Sequence, residues 1–269
     1  MDRKSLVVEW DDYFAEVMKD GGEPLPPRFP NPQGAFSRLL SDWYGAYSGH
    51  GPKAPLPGYI PEPYLGDMLA PHIRMVLLNL NPGRPLDNRE QVFSRSSAFG
   101  SRIAADGYRR WAKPNPYLAT SLAMGSRFWQ RRLRFASSLL GTKVAPSELL
   151  AMELWPWHSV NWGRFDARAA AEPVRECVIE PLLDLAGSHP DLVIVAERKE
   201  HTNVLTHLDL ETLPGYGPMR LPSGIRDLYV YRLSDAVRVL VVVSRNMAGL
   251  PSAHGKDEGR DLAVMRSLL

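Results

Sequence analysis

Apolar positions recur along the chain with two different spacings. Ser5 to Lys19 and Phe36 to Tyr47 carry them at three- and four-residue steps, which predicts two amphipathic helices. Pro-rich stretches, EPLPPRFPNPQ (23–33) and GPKAPLPGYIPEPY (51–64), follow each helix. Proline lacks the N–H donor and fixes its own dihedral, so neither stretch suits a helix interior or a central strand. Residues 1–70 therefore read as a helical and Pro-rich N-terminal extension, and residues 71–269 as the main domain. There the pattern changes to short continuous apolar runs: Ile73–Leu80, Leu149–Leu154, Asp191–Ala196 and Val237–Val243. Leu228–Leu233 alternates like a neighbouring strand or hairpin arm. Helical periods lie between and after these runs, at Arg127–Leu140, Ala169–Ala186 and Gly259–Leu268. Buried strands separated by helices predict an α/β fold, a three-layer sandwich around a mainly parallel sheet of four to five strands.

Composition narrows the class. The chain has 269 residues, 44% hydrophobic and 23% charged, which suits a sizeable core. No apolar run is long enough to cross a membrane, and MDRKSLVVEWDDYF lacks the core of a secretory leader. One cysteine, Cys177, excludes an intrachain disulfide, a four-cysteine zinc site and a cysteine-held iron–sulfur cluster. A reducing, cytoplasmic setting is expected. Net charge is only +2, but Arg84 to Arg134 holds eleven Lys and Arg against Asp87, Glu90 and Asp106. That local excess of +8 leaves −6 for the rest. It suggests an anionic partner, nucleic acid first, although an Arg-rich solvated surface has the same composition.

Ligands of such sheets bind at the carboxyl ends of the strands. The unusual residues fall there: NLNPG, ELWPWHS, AERKEH and SRNMAGLPSAHG. Asn79-Leu80-Asn81-Pro82-Gly83 resembles the first motif of the uracil-DNA glycosylase superfamily, G-I-N-P-G in its mismatch-specific and thymine-DNA branch. Asn246-Met247-Ala248-Gly249-Leu250 resembles that branch's last motif, N-P-S-G-L. The order matches, and the resemblance covers residues 73 to 269. It implies a monofunctional DNA glycosylase that flips a damaged, mismatched or modified base from DNA and hydrolyses its N-glycosidic bond. The resemblance implies no metal or redox cofactor. DNA, as a duplex with a flipped base or as a single strand, would be the partner. NPG alone is also a common turn after a strand.

The chemistry suits the residue types. Cleavage puts positive charge on the sugar and negative charge on the departing base, so a water must be held and an anion stabilised. By the resemblance, Asn81 positions the water, and Leu80, Pro82 and Gly83 bring backbone close to the nucleotide. Phe93, or alternatively Phe99, stacks on the base; either also suits a core. Where many members place an Asn at the end of the second strand, this chain has Glu153. An ionised Glu accepts but does not donate, which favours a base with an exocyclic amino group, such as a modified cytosine. Glu153 as the water-activating base is the other reading. Trp155, Trp157 and His158 would wall the pocket and touch the base or a phosphate, with His158 hydrogen-bonding the base anion or orienting the water; a structural histidine is the alternative.

In the last motif the superfamily's usual His is absent. Asn246 matches the branch's Asn, and Leu250 its apolar wedge, which fills the gap left by the extruded base. Met247, Gly249 and Pro251 shape that loop. Arg245, Ser252, His254, Lys199 and Arg198 are phosphate contacts in this reading, or solvated loop residues. A non-catalytic DNA-binding protein of the same fold and a nucleoside- or nucleotide-processing enzyme remain open. The biological setting would be repair, or removal of unusual bases from phage DNA.

Overall fold

The structure, a computed structural model, describes residues 1–19, 33–85, 92–113, 115–118, 125–213, 217–245, 249–251 and 257–269, without the side chains of 125 and 126. In chain order its elements are α1 (Arg3–Lys19), α2 (Ala35–Gly45), β1 (Tyr47–Ser48), β2 (Tyr64–Leu65), β3 (Met75–Asn79), α3 (Ala98–Asp106), α4 (Tyr108–Ala112) and α5 (Gly125–Leu140). They continue with β4 (Leu149–Glu153), β5 (Arg164–Phe165), α6 (Ala171–Val174), α7 (Glu180–Ser188), β6 (Val193–Glu197) and α8 (Lys199–His207). Last come β7 (Met219–Arg220), β8 (Arg226–Arg232), β9 (Arg238–Ser244) and α9 (Glu258–Arg266). The fold is α/β, with a mixed, mostly parallel central sheet flanked by helices. No described helix is long and apolar enough to cross a membrane.

The chain divides into two compact units. The first comprises Met1–Leu69, Leu80–Pro116 and Met152–Asp184, and the second Ala70–Asn79, Tyr117–Ala151 and Leu185–Leu269. Most of residues 1–70, set apart by the sequence pattern as an extension, thus share a unit with two later segments: Met1–Leu69 falls in the first unit and Ala70 in the second. The reason lies in α1. It buries Leu6, Val7, Trp10, Tyr13, Phe14, Val17 and Met18 along one stripe. Phe14 stacks on Tyr108 of α4 with ring centroids 4.5 Å apart. A stripe of that width must be covered, and α3 and α4 cover it.

The second unit contains most of the sheet. Strands β3, β6 and β9 run parallel, with Met75 beside Val193 and Ile194 beside Val239. Four consecutive residues of each of these strands are buried, which explains their continuous apolar runs. Strand β8 closes onto β9 antiparallel, from Arg226 beside Ser244 to Arg232 beside Arg238, and β7 adds an antiparallel edge. Among the described residues the sheet has seven strands rather than four to five, because β2 and β7 are two residues each and too short to leave a periodic signal. In place of one helix over 169–186, α6 and α7 are joined by a π-turn at Arg175–Ile179. Pro181 lacks an N–H for Cys177, and a widened turn accommodates the loss.

Within the second unit β3 neighbours β6, although β4 lies between them in sequence. From β3 the chain crosses to one side, through α5 to β4. From β6 it crosses to the other, through α8 toward β8 and β9. That reversal, at the carboxyl ends marked by Asn79 and Glu197, is where open α/β sheets hold ligands.

Candidate functional site

In the first unit the loop after β3 is tied to the segment after β4. Trp155 N–H donates to Leu80 O at 2.9 Å. Asn81 Nδ2 donates to Ser159 Oγ at 2.9 Å and, more weakly, toward Trp157 O at 3.4 Å. A backbone carbonyl only accepts, so the atom facing Trp157 O must be the amide nitrogen, which fixes the orientation of the side chain. Asn81 Oδ1 then accepts no hydrogen bond among the described residues. It is an acceptor held ready on a half-buried side chain. Ser159 is held in turn by Tyr47, whose hydroxyl lies 3.2 Å from Ser159 Oγ and receives Gly163 N–H at 2.7 Å.

Gly83 has φ +78°, a conformation open to glycine, and a side chain added there would meet nothing within 4 Å. Its carbonyl lies 3.0 Å from His158 Nδ1, while His158 Nε2 lies 3.1 Å from Ile60 O and 3.6 Å from Glu62 Oε1. A neutral ring donates to one of these carbonyls, and an imidazolium to both. His158 is 1% exposed and fastens the Gly83 turn to Ile60. The position read from sequence as a pocket wall is thus a clamp on the loop.

The other predicted residues of this unit lie deeper. Phe93 packs edge-on against Phe14 at 6.0 Å, and Phe99 packs against Trp111 at 5.2 Å; both are buried. The Trp157 ring is enclosed by Trp43, Tyr44 and Trp155, so only its carbonyl reaches Asn81. Leu80 is buried and Pro82 half-buried. Glu153, the last residue of β4, is 2% exposed, and its charge is felt at Tyr108. Burial, reinforced by Glu62, Tyr64 and Glu153, pushes the Tyr108 hydroxyl pKa well up. Sequence reasoning missed Ser159 and Tyr47. A serine two residues past Trp157 carries no motif of its own, and Tyr47 reads as the end of a helix.

In the second unit, β6 ends at Glu197 and turns into α8 through Arg198, which has φ +84° and ψ +153°. A non-glycine residue is strained there, and such strain clusters at functional sites. Glu197 pairs through Oε2 with Arg132 of α5, a contact between side chains 21% and 13% exposed. Lys199 is exposed at the start of α8. His201, 1% exposed, lies beside the backbone of Asn79, Glu197 and Arg198 without a hydrogen bond of good geometry.

Burial pulls the His201 pKa from 6.5 down to about 4. The unfolded chain therefore takes this proton first on acidification. Its stabilising contribution is complete above about pH 6.5 and lost as pH falls to about 4. Thermal unfolding followed from pH 7.5 to 4.5 should show a falling Tm. In His201→Leu the slope over this window should be shallower.

Also in the second unit, Gly249 takes φ +67°, and a Cβ there would lie 3.4 Å from Glu197 Oε1. Its carbonyl receives Arg226 Nε at 2.8 Å. Arg226, fully buried, also bonds Asp261 at 3.1 Å and Glu258 at 2.7 Å. Leu250 and the buried Pro251 line a cavity of about 820 Å³ with α5 and the end of β6. Arg245 is paired with Asp227 at 2.8 Å, so a phosphate there would compete with a carboxylate. Asn246, Met247, Ser252 and His254 lie outside the described residues. Among the described residues no cluster of His, Cys, Asp and Glu could hold a metal ion. Comparison of the chain with known protein families, with characterised proteins and with solved structures returned no match.

Proposed function

We propose that this chain is a monofunctional DNA glycosylase, built as a three-layer sandwich of the uracil-DNA glycosylase type. The observation that carries the proposal is the orientation of Asn81. Its nitrogen is held by Ser159 and Trp157, which leaves Oδ1 to accept a hydrogen from the attacking water. The water would add at the anomeric carbon as the bond to the base breaks, and the base departs as an anion. The proton that the water loses passes to solvent or to the departed base, since an amide orients the water but is too weak a base to keep its proton. The unobstructed space beside Gly83 supports a close approach of sugar and backbone. The motif order and the basic stretch from Arg84 to Arg134 support DNA as the substrate carrier.

Glu153 enters as a reader of the base. Its burial argues against water activation, since water must reach the carboxylate, whereas a flipped base carries its own edge into the interior. Oligonucleotides bearing uracil, mismatched thymine, hypoxanthine, alkylated bases and modified cytosines, cleaved at abasic sites after incubation, test the activity. The expected result is release of an amino-bearing base. Glu153→Gln should keep the rate within about threefold and shift preference away from such bases. Unchanged preference would make Glu153 a core residue only. DNA binding with no release from any substrate would favour a non-catalytic protein of this fold.

A further inference from the structure

We infer that the cavity in the second unit beside α5 is a binding track for single-stranded DNA, with Phe128 as its stacking platform. Phe128 is 48% exposed, so its ring is open to a ligand. The guanidinium of Arg132 lies 4.6 Å from its ring centroid, which fixes the ring. Arg131, Arg134, Lys143 and Arg198 line the same cavity and are all exposed. None of the four has a carboxylate partner among the described residues.

The two carboxylates of the wall are already taken. Glu197 is paired with Arg132, and Glu258 with the buried Arg226. The cavity therefore presents four uncompensated cations around an exposed aromatic ring. That combination is the one that holds single strands: cations follow the backbone and an aromatic face stacks a base.

The ring selects the unpaired state. A base inside a duplex has both faces covered by its neighbours, so only an unstacked base can lie on Phe128. From Phe128 to Arg134, α5 rises about 9 Å, so Arg131 and Arg134 can follow the backbone beside the stacked base. Although the proposed function shares the DNA partner, this site uses neither Asn81 nor any excision chemistry.

Fluorescence anisotropy of the full chain with a labelled twenty-nucleotide oligo(dT), the matching duplex and an oligoribonucleotide tests the inference. The single DNA strand should bind with an affinity that falls steeply with salt. Phe128→Ala should weaken it about 5- to 100-fold and leave duplex binding nearly unchanged. Phe128→Trp should retain binding, and Phe128→Leu should not, which separates stacking from apolar packing. Arg131→Ala with Arg134→Ala should lower the salt slope by about 1.4. Equal binding by the native chain and Phe128→Ala would overturn the inference. So would equal losses on single strand and duplex, or tighter binding of the oligoribonucleotide. A chain that binds strands through Phe128 yet releases no base leaves this site standing and ends the glycosylase reading. Excision with undiminished strand binding in Phe128→Ala does the reverse.

Discussion

Asn81→Ala should lower base release by a factor on the order of 100 or more, with little change in the stability of the fold. The side chain is half-buried, and among the described residues its hydrogen bonds go to Ser159 and Trp157 alone, so its removal leaves few of these groups unsatisfied. Single-turnover release from the preferred substrate is the measurement. Asn81→Asp should not rescue the rate fully, because one carboxylate oxygen would face the Trp157 carbonyl without a proton to share. Ser159→Ala should cost about tenfold, since the amide is then held by the weaker contact alone. An Asn81→Ala protein that releases base at the native rate would remove the water-positioning role and the proposed function with it.

Arg226→Met should destabilise the protein by about 3–5 kcal/mol, the scale expected when one partner of a buried ion pair is deleted. Arg226 and Asp261 are both fully buried, and Asp261 also receives Ser223 N–H at 2.8 Å. Without the guanidinium, Asp261 keeps its charge in an apolar setting, or must take up a proton. Urea unfolding should show the loss as a lower midpoint. Adding Asp261→Leu should recover much of it, because two apolar side chains then replace the pair. If the double variant is no better than the single one, the damage comes from the lost contacts to Gly249 and Glu258 instead.

The order and type of the long elements were legible because their signals are local. Continuous valine and leucine runs mark β3, β6 and β9, and the stripe of α1 marks a buried helix face. The direction of β8 was not legible, because alternation looks the same in either orientation. For the site, sequence singled out Asn81 but not what orients it. The Ser159 and Tyr47 hydroxyls lie 78 and 112 residues apart from their partners Asn81 and Ser159, and no local pattern links them. His158 stood out as a chemical residue, yet both its nitrogens face backbone carbonyls, those of Gly83 and Ile60. Phe128 drew no notice among the arginines. An exposed aromatic on an amphipathic helix reads as one more core position until its surroundings are known.

At Arg198 the main chain and the side chain make opposite demands. A backbone held at φ +84° would be relieved by glycine, and such strain costs about 1–3 kcal/mol. Glycine would also erase one of the four cations around the cavity. Selection of this protein for heat resistance alone should therefore discard the arginine early, and grip on polyanions would decline as the melting point rose.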